Sequence, residues 1–131
     1  MAATAQETDQ ITPAVNLYLE GVRDGDATKL REAFHPDAHM WGSMAGQRYD
    51  EPITELIALM DGQPADVDGS FRAHITSVEQ TDDTASVTLT EDGFWGTVSF
   101  VDFFSLARID GMWKIVNKTF VHTGREPPAI E

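Results

Sequence analysis

The sequence has no cysteine among its 131 residues, which excludes a disulfide framework, a thiolate zinc site and a cysteine nucleophile. Cations are scarce as well: 9 Lys and Arg stand against 22 Asp and Glu, a formal charge of −13. A nucleic-acid surface needs clustered cations to neutralise phosphates, and these nine are scattered. The same imbalance opposes docking on an anionic membrane. No stretch approaches the ~18 apolar residues of a spanning helix, and residues 1–10 lack the positive start and apolar run of a signal peptide. The expectation is a cytoplasmic protein that contacts neither nucleic acid nor membrane. There is no Walker loop, dinucleotide glycine pattern, nucleophile elbow or EF-hand loop. His35 and His39 are four apart, but Pro36 between them breaks any shared helical face. His39, His122 and Asp102 combine imidazole with carboxylate, a donor set that divalent metals accept, but without a spaced signature. No metal or cofactor is expected.

What is present is enough apolar residue, 41%, for a folded core in a chain of one-domain length. Residues 1–9 and the Pro-Pro tail 124–131 read as flexible ends of a single domain. Ile11, Val15, Tyr18, Leu19 and Val22 share one helical face, with Thr12-Pro13 as cap and first-turn proline. Asp24-Gly25-Asp26 ends that helix and caps the next, whose buried face is Leu30, Ala33 and Phe34. A short strand follows at 38–41, then a turn or crossing loop at 42–46. Asp50-Glu51-Pro52 starts a third helix on Ile53, Leu56, Ile57 and Met60. Beyond the Gly, Pro and Asp-rich loop 61–70, four strands are expected at 71–81, 84–92, 97–108 and 113–122. In the second of them Ala85, Val87 and Leu89 alternate with polar residues. Asp82-Asp83 and Asp110-Gly111 mark tight turns. The run 97–108 is apolar enough that both its faces should be covered. The class is α+β, with helices on an antiparallel sheet.

Two stretches resemble the nuclear transport factor 2-like superfamily, which includes ketosteroid isomerase and scytalone dehydratase. Residues 15–38, VNLYLEGVRDGDATKLREAFHPDA, are similar to its opening helices and first strand. Residues 101–120, VDFFSLARIDGMWKIVNKTF, are similar to its closing hairpin, and WKIVNK with Phe120 and His122 resembles the lumazine-binding-like branch. The resemblance implies a strongly curved antiparallel sheet wrapped by three N-terminal helices, forming a cone with a central cavity. It also implies a homodimer through the outer sheet face, where Val101, Phe103, Val116 and Phe120 are the expected contacts. Ketosteroid isomerase uses an Asp base and an oxyanion hole of Tyr and protonated Asp. By resemblance Tyr18 and Asp102 occupy the two oxyanion positions, while Gly42 stands where the base belongs.

The candidate catalytic residues are Asp102, His39 and Tyr18. Asp102 is an acid in an apolar strand, where desolvation raises a carboxyl pKa. An imidazole is the side chain best suited to acid or base work near neutral pH, which makes His39 a candidate for that role. Tyr18 would be the electrophile on an inward helix face. The expected ligand contacts are Tyr18, His39, Trp41, Met60, Phe94, Phe104, Asp102 and Asn117, a set suited to a small hydrophobic or aromatic molecule. Asn117 faces inward by alternation with Trp113 and Ile115, unless a one-residue bulge turns Lys118 inward instead. Three functions fit: a small-molecule binding protein; a lyase or isomerase using Asp102 or His39 with Tyr18; or a regulatory dimer with a vestigial pocket.

Overall fold

The structure, a computed structural model, describes residues 5–123, with side chains from residue 10 onward. The tails expected to be flexible fall at 1–4 and 124–131 outside the described residues, while the backbone of 5–9 is helical. The first helix, α1, runs Ala5–Asp24. It buries Ile11, Val15, Tyr18 and Val22, as a 3.6-residue period requires. Pro13 sits inside α1 rather than opening it, at an exposed position where losing one main-chain donor is tolerable. Gly25, with a φ of 67°, ends the helix in the left-handed region open to glycine. Asp26 then caps α2 (Ala27–Ala33) by accepting from the amides of Thr28 and Lys29 at 3.0 and 3.2 Å.

Phe34 ends α2 and opens β1 (Phe34–Met44), which pairs with β2 (Gln47–Pro52). This hairpin replaces the expected short strand and crossing loop. Its turn, Ala45-Gly46, has positive φ at both residues, the type I′ requirement usually met by Asn-Gly or Asp-Gly. Alanine hides that signal. Helix α3 (Ile53–Met60) therefore begins after Pro52, with the expected face of Ile53, Leu56, Ile57 and Met60 buried.

Strands β3 (Arg72–Thr81), β4 (Thr84–Phe94), β5 (Val98–Ile109) and β6 (Met112–Thr123) form an antiparallel meander. Asp110-Gly111 makes the last turn with positive φ at both positions. The sheet order is β2-β1-β6-β5-β4-β3, and β1 joins β6 in parallel. The sheet is thus mixed rather than wholly antiparallel, and it does not close on itself. Three helices wrap its concave face, and a cone-shaped space is left between the two layers. Among the described residues no other element covers the convex face: Phe103 is 50% exposed, so there β5 buries one face.

Candidate functional site

Period-2 alternation determines what enters the cone. In β4 the residues Ala85, Val87, Leu89 and Glu91 all point inward and are buried. Across from them β5 turns Phe100, Asp102, Phe104 and Leu106 to the same side. Leu89 pairs with Asp102 and Glu91 with Phe100, so the two carboxyls are diagonal neighbours on one face. On the far side of β5 the ladder to β6 is interrupted. Leu106 pairs with Ile115 but Ser105 pairs with Asn117, leaving Val116 as an extra residue. This bulge reverses the alternation. Beyond it Lys118 and Phe120 face the cone, and Asn117 does not.

Four polar side chains therefore meet in the interior: Tyr18, Glu91, Asp102 and Lys118, each at most 5% exposed. The Tyr18 hydroxyl donates to Glu91 Oε1 at 3.3 Å, and Lys118 Nζ contacts Asp102 Oδ1 at 3.4 Å. Glu91 Oε2 and Asp102 Oδ2 are buried without a partner among the described residues. The Tyr18 ring is fixed edge-on by Phe104 and Phe34, with centroids 4.9 and 5.8 Å away. Burial, and then the charge of Asp102, hold the Glu91 carboxyl well above the usual carboxylate range, with Lys118 and the Tyr18 hydrogen bond pulling the other way. Burial and the two neighbouring carboxyls likewise raise the Tyr18 phenol. A neutral Glu91 beside the Lys118–Asp102 ion pair gives a cluster of zero net charge, the cheapest arrangement in a low-dielectric interior. Since Oε1 accepts from Tyr18, Oε2 is the atom left to carry the proton.

Above the cluster lies a cavity of about 380 Å³, within the size range of small-molecule sites. Met40, Leu56, Met60, Phe94, Val98, Phe100 and Phe120 form its apolar wall, and Tyr18, Glu91 and Lys118 its polar floor. Leu59 and Trp95, both lining residues, are exposed and mark its mouth.

The family described as "Putative lumazine-binding" matches residues 6–121. The chain belongs to this family. Aldolase FrzH from Cladobotryum sp is 28% identical over 117 residues, 89% of this chain and 92% of its own. A nuclear transport factor 2-like protein of unknown function from Shewanella baltica OS155 superposes with a TM-score of 0.83 at 27% identity, covering 94% of this chain and 99% of its own. Another such protein from Methylobacillus flagellatus KT gives 0.85 at 26%, covering 93% and 96%. The chain thus carries the cone fold of the nuclear transport factor 2-like superfamily.

Set within this family's cone, the residues singled out in the sequence separate into three places. Tyr18, Met60 and Phe94 line the cavity. Asp102 and Phe104 lie behind its wall, the former on Lys118 and the latter against the Tyr18 ring. His39, Trp41 and Asn117 are on the convex face, because β1 turns Ala38, Met40 and Gly42 inward and the bulge turns Asn117 out. His39 and Asn117 are register partners there, and His39 Nε2 lies 2.7 Å from Asp50 Oδ1. His39 and Asp102 face opposite sides of the sheet, so they do not meet His122 around one metal. Among the described residues no three His, Asp or Glu gather in a metal-holding group. Phe120, expected on the outer face, is a cavity wall residue. A Cβ built on Gly42 would overlap the Phe120 ring, so a larger side chain at this position would require the ring to move. Glu91 escaped the sequence reading, although the alternation from Ala85 to Leu89 reaches it at the next inward step. Among the described residues no helix is long and apolar enough to cross a membrane.

Proposed function

We propose that the cavity binds a small, largely apolar carbonyl compound and that Glu91 moves a proton between the enzyme and the carbon or oxygen of its carbonyl unit. The observation that carries this reading is Glu91 itself: a carboxyl whose protonated form is favoured by burial and then by Asp102, facing an apolar cavity, with no hydrogen bond to Oε2 among the described residues. A neutral acid there donates to a carbonyl oxygen and stabilises the negative charge that forms on it during enolisation, most effectively where water is excluded. Tyr18 steadies Glu91 through Oε1. Removal of a proton beside a carbonyl opens aldol chemistry, and the 28% identity to Aldolase FrzH supports that class over others. The open cavity speaks against a vestigial pocket.

The test is exchange of the α-protons of phenylacetone and cyclohexanone into deuterated water, followed by NMR. Wild type should accelerate exchange over buffer, and Glu91→Gln should lose about 100-fold or more of the effect. Equal rates for wild type and Glu91→Gln on every ketone tried would sink the proposal. Binding without turnover is the second reading. The glycine at position 42 favours it, since the isomerase's own base has no counterpart there.

We also infer that two copies pair through the convex face. Trp41, Phe103 and Val121 are 45, 50 and 40% exposed there, on adjacent strands, a clustering of large apolar side chains of the kind that marks interaction surfaces. Light scattering after size exclusion should report a dimer at micromolar concentration, and Phe103→Glu should yield monomer. A wild-type monomer would refute the pairing.

A further inference from the structure

We propose that Lys118 is a covalent nucleophile, its Nζ condensing with the carbonyl carbon of the bound compound to form an imine; this rests on the carbonyl-binding reading above.

The chain has three lysines, Lys29, Lys114 and Lys118. Lys29 pairs with Glu20 at 3.0 Å and Lys114 donates to the Glu32 carbonyl oxygen at 2.7 Å, both at the surface. Lys118 differs in burial and in what surrounds it. It is 5% exposed and lines the cavity. Its contact with Asp102 is 3.4 Å, long beside the ~2.7–2.9 Å of a strong charge-assisted bond. Beyond Asp102 and the neighbouring Glu91 carboxyl it faces aromatic rings, with the Phe120 and Tyr18 centroids 4.3 and 5.9 Å from Nζ. An amine serving only to neutralise Asp102 would be drawn closer to it and would have no reason to reach the cavity. A lysine desolvated among apolar groups is the usual setting of imine-forming amines.

The neighbours complete the step. Lys118 passes a proton to Asp102, and the free amine adds to the carbonyl carbon to give a carbinolamine. Glu91 protonates the hydroxyl, which departs as water and leaves the iminium. Glu91, now a carboxylate, removes the α-proton, so that the enamine forms and the acid is restored. One water is released, no oxidant or reductant enters, and the net charge is unchanged.

The experiment is borohydride reduction of the wild-type protein with phenylacetone, followed by peptide mass mapping, with Lys29 and Lys114 as internal controls. A reduced adduct concentrated on the Lys118 peptide is expected. Lys118→Arg, which keeps a cation for Asp102, should give no adduct there, and its α-exchange should fall to the buffer rate. Wild type alone decides the matter if the variant does not fold. Glu91-dependent exchange with no adduct, or with adduct only on Lys29 or Lys114, would overturn the imine and leave the carbonyl reading standing. Absence of both exchange and adduct would overturn the two together.

Discussion

The two faces of one sheet carry two contacts between a basic and an acidic side chain, of very different character. On the concave side Lys118 and Asp102 meet with side chains 6 and 0% exposed. On the convex side His39 and Asp50 meet with side chains 36 and 52% exposed. The outer pair is the shorter, 2.7 Å against 3.4 Å, so distance alone would rank them wrongly. What separates them is water. Solvent screens the outer pair and solvates either partner if the other is lost, whereas nothing solvates a lone charge in the core. The same strands supply both faces, so which polar groups are buried together and which stay wet follows from the parity of a residue along its strand and from a single bulge.

The largest expected effect is on the inner pair. Asp102→Ala leaves Lys118 as an unpaired buried charge and should cost about 3–5 kcal/mol in urea unfolding. A joint replacement, Asp102→Leu with Lys118→Met, should recover most of that loss, because an apolar pair of similar volume carries no desolvation penalty. A single Asp102→Ala cost below about 1 kcal/mol would place the pair in water after all and erase the contrast between the faces.

The next effect is a dependence on pH. Glu91 binds its proton more tightly in the native state than in the unfolded chain. Above the unfolded glutamate value of about 4.3 the unfolded chain releases that proton while the native state keeps it, so stability falls as pH rises, until the folded-state value is passed. The slope within that window approaches about 1.4 kcal/mol per pH unit. Glu91→Gln has no such proton to release. Its urea midpoint should gain on wild type as pH rises, and parallel curves from pH 4 to 8 would contradict the assignment.

The element order apart from β2, the α2 cap and the Asp110-Gly111 turn were legible because each depends on a local signal: a period, a capping carboxylate, a glycine. The β1–β2 hairpin was not, because Ala45 adopts a positive φ (53°) that its side chain does not advertise. The site was legible in part. Tyr18 followed from a helical face and Asp102 from an acid in an apolar strand. Glu91 lies inside the strand expected at 84–92 but was missed because the alternation was followed only from Ala85 to Leu89, and the next inward step reaches it. Trp41 and His39 looked like site residues by chemistry, but they have the parity opposite to Met40. Asn117 and Lys118 could be told apart only by the bulge at Val116, and a bulge is a property of the partner strand's register as much as of the residues in it.

The smallest effect tests the same contrast from outside. His39→Ala removes an imidazole that is chemically suited to acid–base work and geometrically barred from it. Its side chain leaves the convex face beside Trp41, whose ring centroid is 4.8 Å away, and its partner Asp50 stays solvated. The stability change should be at most about 1 kcal/mol, and α-proton exchange should be within twofold of wild type, since the sheet itself separates the imidazole from Glu91. A tenfold loss of exchange with unchanged stability would mean that protons reach the cavity through the convex face. Parity along β1 would then have failed as a guide to function.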